Sequence, residues 1–376
     1  MANKKSVALR NKFWNSDLLN LTVGLIDDYL GLTSKPNTVH SDRSIICSLL
    51  NASTTRTTIN HVSNSGYRAV EGTVRYRLRD LEVDEVQAKF NQMLKDKAGN
   101  LPKTLKLAID YVLIPFYGEE LDEGDTVRTK AKQGTTRFFA YASIYVIKKN
   151  KRYTLALKYC RKGEKLTDVV DFLLREVECA GFQVETLYLD RGFFSVEVIN
   201  HLQRREIPFL MPCVLRGRSG GIRNLFVGRK SYTTQYTMRN QAKEKATFQV
   251  NVVVKYSQGK YGRHGIEYFA YAVHNIDIPV NRTFEEYRKR FGIECSHRMM
   301  NTARARTTTK KPVLRLLYVG IGFLLMNLWI YLQWTLGVKR RGGRKKATWT
   351  FKLMLRQITR RIEDELGFHK WIPTPQ

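Results

Sequence analysis

The chain has 376 residues, 43% of them apolar and 11% aromatic, so it is too long for one small module and rich enough in apolar groups to exclude general disorder. Its 64 Lys and Arg against 34 Asp and Glu leave a formal net charge of +30, which favours a polyanionic partner, either nucleic acid or an anionic membrane surface. Five scattered cysteines (Cys47, Cys160, Cys179, Cys213 and Cys295) lack any C-x-x-C pair, which argues against a disulfide framework and a zinc site and suits a reducing cytoplasm.

"MANKKSVALRNKFWNSD" carries no apolar core of signal-peptide length. Residues 1–100 read as mostly helical. "DLLNLTVGLIDDYL" has amphipathic spacing, with Leu18, Leu21, Leu25 and Tyr29 on one side. "TTRTTINHVSNSGYRAVEGTVRYRLRDLE" reads as two short helices joined by a Ser-Gly turn, the second, around Glu71 to Leu81, projecting Arg75, Arg77 and Arg79. A helix-turn-helix would place such a helix in a DNA major groove. A solvated basic face accounts for the same pattern, and the spacing does not choose between them.

The texture changes near Leu105. "LKLAIDYVLIPFY", "TRFFAYASIYVIKK" and "RYTLALKYC" are rich in β-branched and aromatic residues, as strands are. "LTDVVDFLLREVECAGF" is a predicted helix with Thr167 as N-cap and Gly181 as its stop. "ETLYLD" is another strand, "SVEVINHLQRREI" a helix capped by Ser195, and "PFLMPCV" a further strand. Strands that run antiparallel first and then alternate with helices predict a mixed α/β sheet. After "RGRSGGIRN" comes a β-rich block from about Tyr232 to Asn275, then a helix over "TFEEYRKRFGIECSHRMMN". From Leu316, "LLYVGIGFLLMNLWIYL" has only Asn327 polar and sits at the short edge of a membrane span. Basic residues on both sides weaken an orientation argument, and the lack of any other spanning segment favours a buried core helix. The end of the chain is basic and helical in pattern, as in "TFKLMLRQITRRIEDELG".

Three acids stand out by position. Asp110 lies inside the first apolar strand, on the alternate face from Leu105, Leu107 and Ile109. Asp190 closes "ETLYLD" just before a helix, and Glu294 lies in the helix after the β block. Open α/β sheets place their sites at strand ends, where such carboxylates converge. Hard oxygen donors without His or Cys clusters suit Mg²⁺ or Mn²⁺. Two such ions, roughly 3.5–4 Å apart, activate a water or 3′-hydroxyl against a phosphodiester, the same substrate class that the charge favours. Tyr287, Arg290 and Glu294 fall at i, i+3 and i+7, along one face of a regular helix. An exposed helix with Arg290 and Arg298 pairing to Glu294 has that spacing too.

Tyr287-x2-Arg290-x3-Glu294 resembles the Y-x2-R-x3-E-x6-K signature of a large group of insertion-sequence DDE transposases. "LYLDRGFF" resembles that group's strand ending in Asp with an aromatic just beyond, and "LAIDYVLIPFYG" its first acidic strand. The resemblance covers roughly Leu105 to Leu336. It implies a ribonuclease H-like mixed sheet interrupted by a β-rich insertion, with a helical amino-terminal DNA-binding region. The corresponding boundaries are 1–100 for that region, 101–216 and 284–338 for the two parts of the core, 217–283 for the insertion, and 339–376 for a basic helical segment. Asp110, Asp190 and Glu294 would carry two Mg²⁺ (or Mn²⁺) ions. Water would attack the transposon end, and the freed 3′-hydroxyl would attack target DNA. Tyr287 and Arg290 would grip the DNA backbone, with Arg298, Asn301, Arg191, Arg75 and Arg77 as further DNA contacts. The group's lysine falls where this chain has Asn301, with Arg298 and Arg304 nearby. The implied partners are terminal inverted repeats and target DNA, bound by a homodimer, with no membrane. The implied location is the cytoplasm, on the nucleoid when bound to DNA. A nuclease on the same fold and a non-catalytic DNA-binding relic are the alternatives.

"GEELDEGD", Gly118 to Asp125, is the densest acidic cluster, and its consecutive acids read as a solvated turn. His297 lies one turn from Glu294 and reads as a packing or phosphate contact. Glu286 and Asp277 are fallback third acids. "KRRGGRKK" reads as a DNA-contacting segment, although composition does not separate it from a targeting signal.

Overall fold

The computed structural model describes residues 15–32, 39–65, 69–147, 152–258, 264–336 and 349–366. "KRRGGRKK" lies outside them. The chain divides into two compact units: Met1–Asn100, Ile114–Phe139 and Cys295–Gln376 in the first, and Leu101–Leu113 and Ala140–Glu294 in the second.

The first unit is mainly helical. Its amino-terminal helices are α1 (Asn15–Leu30), α2 (Asp42–Thr54), α3 (Ile59–Asn64), α4 (Glu71–Arg77) and α5 (Val83–Asp96). The buried face of α1 is broader than the spacing predicts. Leu18 and Leu25 are buried, but Leu21 and Tyr29 are only partly so, and Leu19, Val23, Ile26 and Leu30 fill the core instead. The helix expected over Glu71 to Leu81 ends at Arg77. Strand β1 (Thr104–Phe116) ends in this unit, and β2 (Val127–Lys132) pairs antiparallel with the start of β3 (Thr135–Val146). In the acidic turn Asp125 and Thr126 are buried, and Glu120 accepts hydrogen bonds from the Thr126 hydroxyl and the Gly124 amide.

The apolar segment forms α10 (Pro312–Leu336), following α8 (Thr283–Arg288) and α9 (Gly292–Thr302). It is long and apolar enough to cross a membrane, yet 94% of its most apolar window is buried inside the protein. Its glycines mark where neighbours approach. A Cβ on Gly320 would meet the Phe90 ring at 2.6 Å, and one on Gly322 would meet Met300 at 3.0 Å. Arg315, at the start of α10, is buried with its guanidinium over the rings of Phe116 and Phe139, at 4.9 and 4.5 Å. Helix α11 (Phe351–Leu366) is tied to α2 by the Arg43–Glu365 ion pair and the Thr359–Thr54 hydroxyl contact.

The second unit is built on a sheet. It also contains β4 (Thr154–Cys160), α6 (Leu166–Cys179), β5 (Gln183–Tyr188), α7 (Val196–Arg204), β6 (Phe209–Pro212), β7 (Tyr232–Arg239), β8 (Lys245–Gln258) and β9 (His264–His274). The strands run in the order β3-β1-β5-β6-β9-β8-β7, with β4 paired to β3. β1, β5 and β6 are parallel to one another, whereas β4 is antiparallel to β3 and β9 to β6. The β-rich block is therefore hydrogen-bonded into the same sheet through the β6–β9 pairing. Thr167 is not the cap of α6. That helix starts at Leu166 after Lys165 without a side-chain cap, and the Thr167 hydroxyl bonds to Asp168. Gly181 does end it: with φ +76° it donates to the Glu178 carbonyl while Phe182 donates to Val177, the two bonds of a Schellman motif. Ser195 caps α7 by accepting from the Val198 amide at 3.2 Å.

Candidate active site

Asp110 and Asp190 come together through the register of two parallel strands. β1 and β5 begin in register Leu105↔Val184, then slip by one residue so that Lys106 faces Thr186 and Ala108 faces Tyr188. The skipped residue is Glu185. Continuing the shifted register brings Asp110 level with Asp190. Without the slip Asp110 would lie level with Leu189, and a one-residue offset exchanges the two faces of a strand.

Each carboxylate is fixed by a nearby amide. Asp110 Oδ1 accepts from the Tyr111 amide at 2.9 Å, and Asp190 Oδ1 accepts from the Gly192 amide at 2.8 Å. A Cβ on Gly192 would lie 3.0 Å from that same Oδ1, so glycine is what lets the carboxylate fold back over the turn. Phe193 stacks on Tyr111 with ring centroids 5.5 Å apart, which fastens the turn to β1. The remaining oxygens converge on one cation: Arg290 Nη2 lies 3.1 Å from Asp110 Oδ2 and 3.8 Å from Asp190 Oδ2. Burial pushes the Asp110 carboxyl up to about 6. Arg290 opposes that rise, Asp190 adds to it, the Tyr111 amide opposes it and Glu294 adds to it.

The bed beneath is aromatic. The Tyr287 hydroxyl donates to the Leu189 carbonyl at 3.1 Å, and its ring lies 5.3 Å from that of Tyr271. Burial pushes the Tyr287 hydroxyl up to about 12, with Arg290 opposing and Asp190 and Asp110 adding. The Tyr145 hydroxyl donates to the Arg290 carbonyl at 3.2 Å. Glu286, a fallback third acid by position, has a different task. Its Oε1 accepts from Lys106 at 2.8 Å and from Tyr188 at 2.7 Å, and Lys289 pairs with Oε2. One carboxylate thus joins β1 four residues before Asp110, β5 two residues before Asp190, and α8 four residues before Arg290.

Tyr287, Arg290 and Glu294 do not share one face. Lys289–Phe291 form a 3₁₀ turn between α8 and α9, so Tyr287 and Arg290 point inward while Glu294 is exposed. A 3₁₀ residue advances 120° against 100° in an α-helix, and three of them add roughly 60°. Glu294 acts on Asp110 through its charge, and no three-residue group of His, Cys, Asp or Glu close enough to hold a metal forms among the described residues.

Arg191 and Arg298 are exposed. Asn301 is half-buried and its Oδ1 accepts from Arg304 Nε at 3.3 Å. His297 packs edge-on against Phe323. Arg75 is exposed and paired with Glu71 one turn earlier on α4. Arg77 does not project: its side chain is 3% exposed, paired with Asp42 and donating to the Leu32 and His40 carbonyls. Two residues apart on an α-helix, the arginines point about 200° from one another and do not share one outer face.

Sequence reasoning missed Tyr145, Lys106, Tyr188, Gly192 and Arg152. A Cβ on Gly292, the first residue of α9, would meet the exposed Arg152 guanidinium at 2.7 Å. Only the Gly in "DRGFF" offered a signal, since a glycine two residues after an acid at a strand end marks a tight turn.

No protein-family model matches the chain, and no curated protein does. Among solved structures, the fold is similar to that of the piggyBac transposase determined by cryo-EM as a synaptic complex with hairpin DNA. The TM-score is 0.57 at 11% identity, covering 99% of this chain and 83% of that one. The chain shares the overall fold of that protein. The Drosophila P element transposase strand transfer complex also aligns, over 55% of this chain and 43% of that chain at 16% identity, but its TM-score of 0.28 carries no weight.

Proposed function

We infer that the protein is a DNA transposase of the DDE kind, which cleaves transposon ends and joins them to target DNA in a metal-dependent reaction. The observation that carries this reading is the pair Asp110 and Asp190, brought level by the β1–β5 slip with both free oxygens turned to one positive charge. The strand order β4-β3-β1-β5-β6, with acids on β1 and after β5, supports a ribonuclease H-like core. The likeness to piggyBac transposase and the net charge of +30 support DNA as the substrate.

The pair fits a divalent cation by donor type, because hard carboxylate oxygens already face a cationic group there. Asp110 and Asp190, with Glu294 as the third donor, would hold Mg²⁺ or Mn²⁺. When bound, such ions lower the pKa of water and stabilise charge on the phosphodiester oxygens. Tyr287 and Tyr145 hold the backbone around the acids and Arg290, and Arg290 and the exposed Arg191 would bind phosphates; the exposed Arg298 would be a separate DNA contact. Arg75 is exposed and suits a further DNA contact from the helical amino-terminal region, while Arg77 serves the fold. A homodimer pairing two ends, acting in the cytoplasm on the nucleoid, completes the reading.

The exposed Glu294 favours a second reading, a DNA-binding relative that no longer cuts. The test uses purified protein, Mg²⁺ and a plasmid carrying the gene's own flanking DNA, comparing wild type with Asp190→Ala. Cleavage and joining by wild type alone are expected. Cutting without joining would make the protein a nuclease. End binding by both proteins with no cleavage by either would overturn the catalytic reading.

A further inference from the structure

Asp110 and Asp190 share one counter-charge, supplied by the chain itself. Arg290 Nη2 stands between their Oδ2 atoms, and the arginine side chain is only 7% exposed. Its backbone is pinned by the Tyr145 hydroxyl, but its Nε is buried without a hydrogen-bond partner. The guanidinium is thus held mainly by charge and leaves donor capacity unused. A divalent cation approaching the same two oxygens would meet this fixed positive charge at a few ångströms, where like charges repel strongly in a partly buried site. A phosphodiester is the acceptor best matched to a guanidinium, through paired N–H···O bonds.

We propose that Arg290 is an internal counter-ion that closes the acidic pair to divalent cations until a DNA phosphate draws the guanidinium away, so that cation binding and DNA binding are coupled. This rests on reading Asp110 and Asp190 as the cation-holding pair. Coupling between sites is reciprocal: whatever factor DNA adds to cation affinity, the cation adds to DNA affinity.

The experiment titrates Mn²⁺ into the full-length protein by calorimetry without DNA, comparing wild type, Arg290→Gln, Arg290→Lys and Asp190→Asn. Separately, affinity for a short random-sequence duplex is measured by fluorescence anisotropy with and without Mn²⁺, for the same four proteins. Arg290→Gln is expected to bind Mn²⁺ about tenfold more tightly than wild type, within the 5–150-fold range common for coupled sites. Arg290→Lys should stay close to wild type. Mn²⁺ should raise DNA affinity of wild type by a similar factor, and that gain should vanish in Arg290→Gln and in Asp190→Asn. Equal Mn²⁺ affinity in wild type and Arg290→Gln overturns the proposal. If the Gln variant does not fold, the wild-type measurement alone decides, because no effect of Mn²⁺ on DNA affinity overturns it too. Mn²⁺ binding that survives Asp190→Asn instead removes the underlying assignment of the acidic pair, which keeps the two failures apart.

Discussion

Glu286 shows how a residue outside the acidic pair sets its geometry. Burial alone would push its carboxyl up, but hydrogen bonds from Lys106, Lys289 and Tyr188 outweigh that and bring it down from 4.5 to about 2. A carboxyl lowered on folding stabilises the native state above its ordinary range. That contribution is lost as pH falls from about 4.5 through about 2. Glu286→Gln should therefore cost about 2 kcal/mol at neutral pH, as expected for lost bonds to a charged group. Urea unfolding across acid pH should show a shallower fall in stability for the variant than for wild type. At Gly192 the expected effect is on function: Gly192→Ala puts a Cβ 3.0 Å from Asp190 Oδ1 and displaces the carboxylate. End cleavage should drop at least tenfold while the thermal midpoint changes little, and unchanged cleavage would show that this turn does not set the position of Asp190.

Among the elements, glycine has opposite meanings in two helices of the first unit. Gly320 in α10 lies under the Phe90 ring with no room for a methyl group. Gly24 in α1 has nothing within 4 Å of where a Cβ would stand. Gly320→Ala should destabilise by about 1–3 kcal/mol through overpacking. Gly24→Ala should stabilise by roughly 0.5–1 kcal/mol through a lower entropy cost of helix formation. Calorimetric melting of the two variants checks both signs. The 3₁₀ turn at Lys289–Phe291 is the element that most altered the site, because it removed Glu294 from the face that carries Tyr287 and Arg290. Nothing in "YRKRFGIE" announces it, although Gly292 stands where the α-helix resumes and the Arg152 guanidinium passes.

For the molecule as a whole, a net charge of +30 means that the proposed DNA affinity should depend on salt. Log affinity should fall by roughly 0.9 per neutralised phosphate for each log unit of salt. Asp190→Asn should leave that slope unchanged, and a slope near zero in anisotropy titrations would argue against phosphate binding. Local pattern alone was enough for the strands over Leu105 to Phe116 and Thr135 to Val146, the helices after Lys165 and Ser195, and the apolar helix from Pro312, because periodicity and caps act within a few residues. The acids at Asp110 and Asp190 were also visible there, as charges interrupting or ending apolar runs. Long-range pairing governed the rest. The one-residue slip at Glu185 that brings the two acids level, the β6–β9 pairing that extends the sheet, and the burial of Arg77 against Asp42 all depend on partners distant in the chain. A strand's sequence specifies which residues alternate, but its register is set only when the neighbouring strand packs against it.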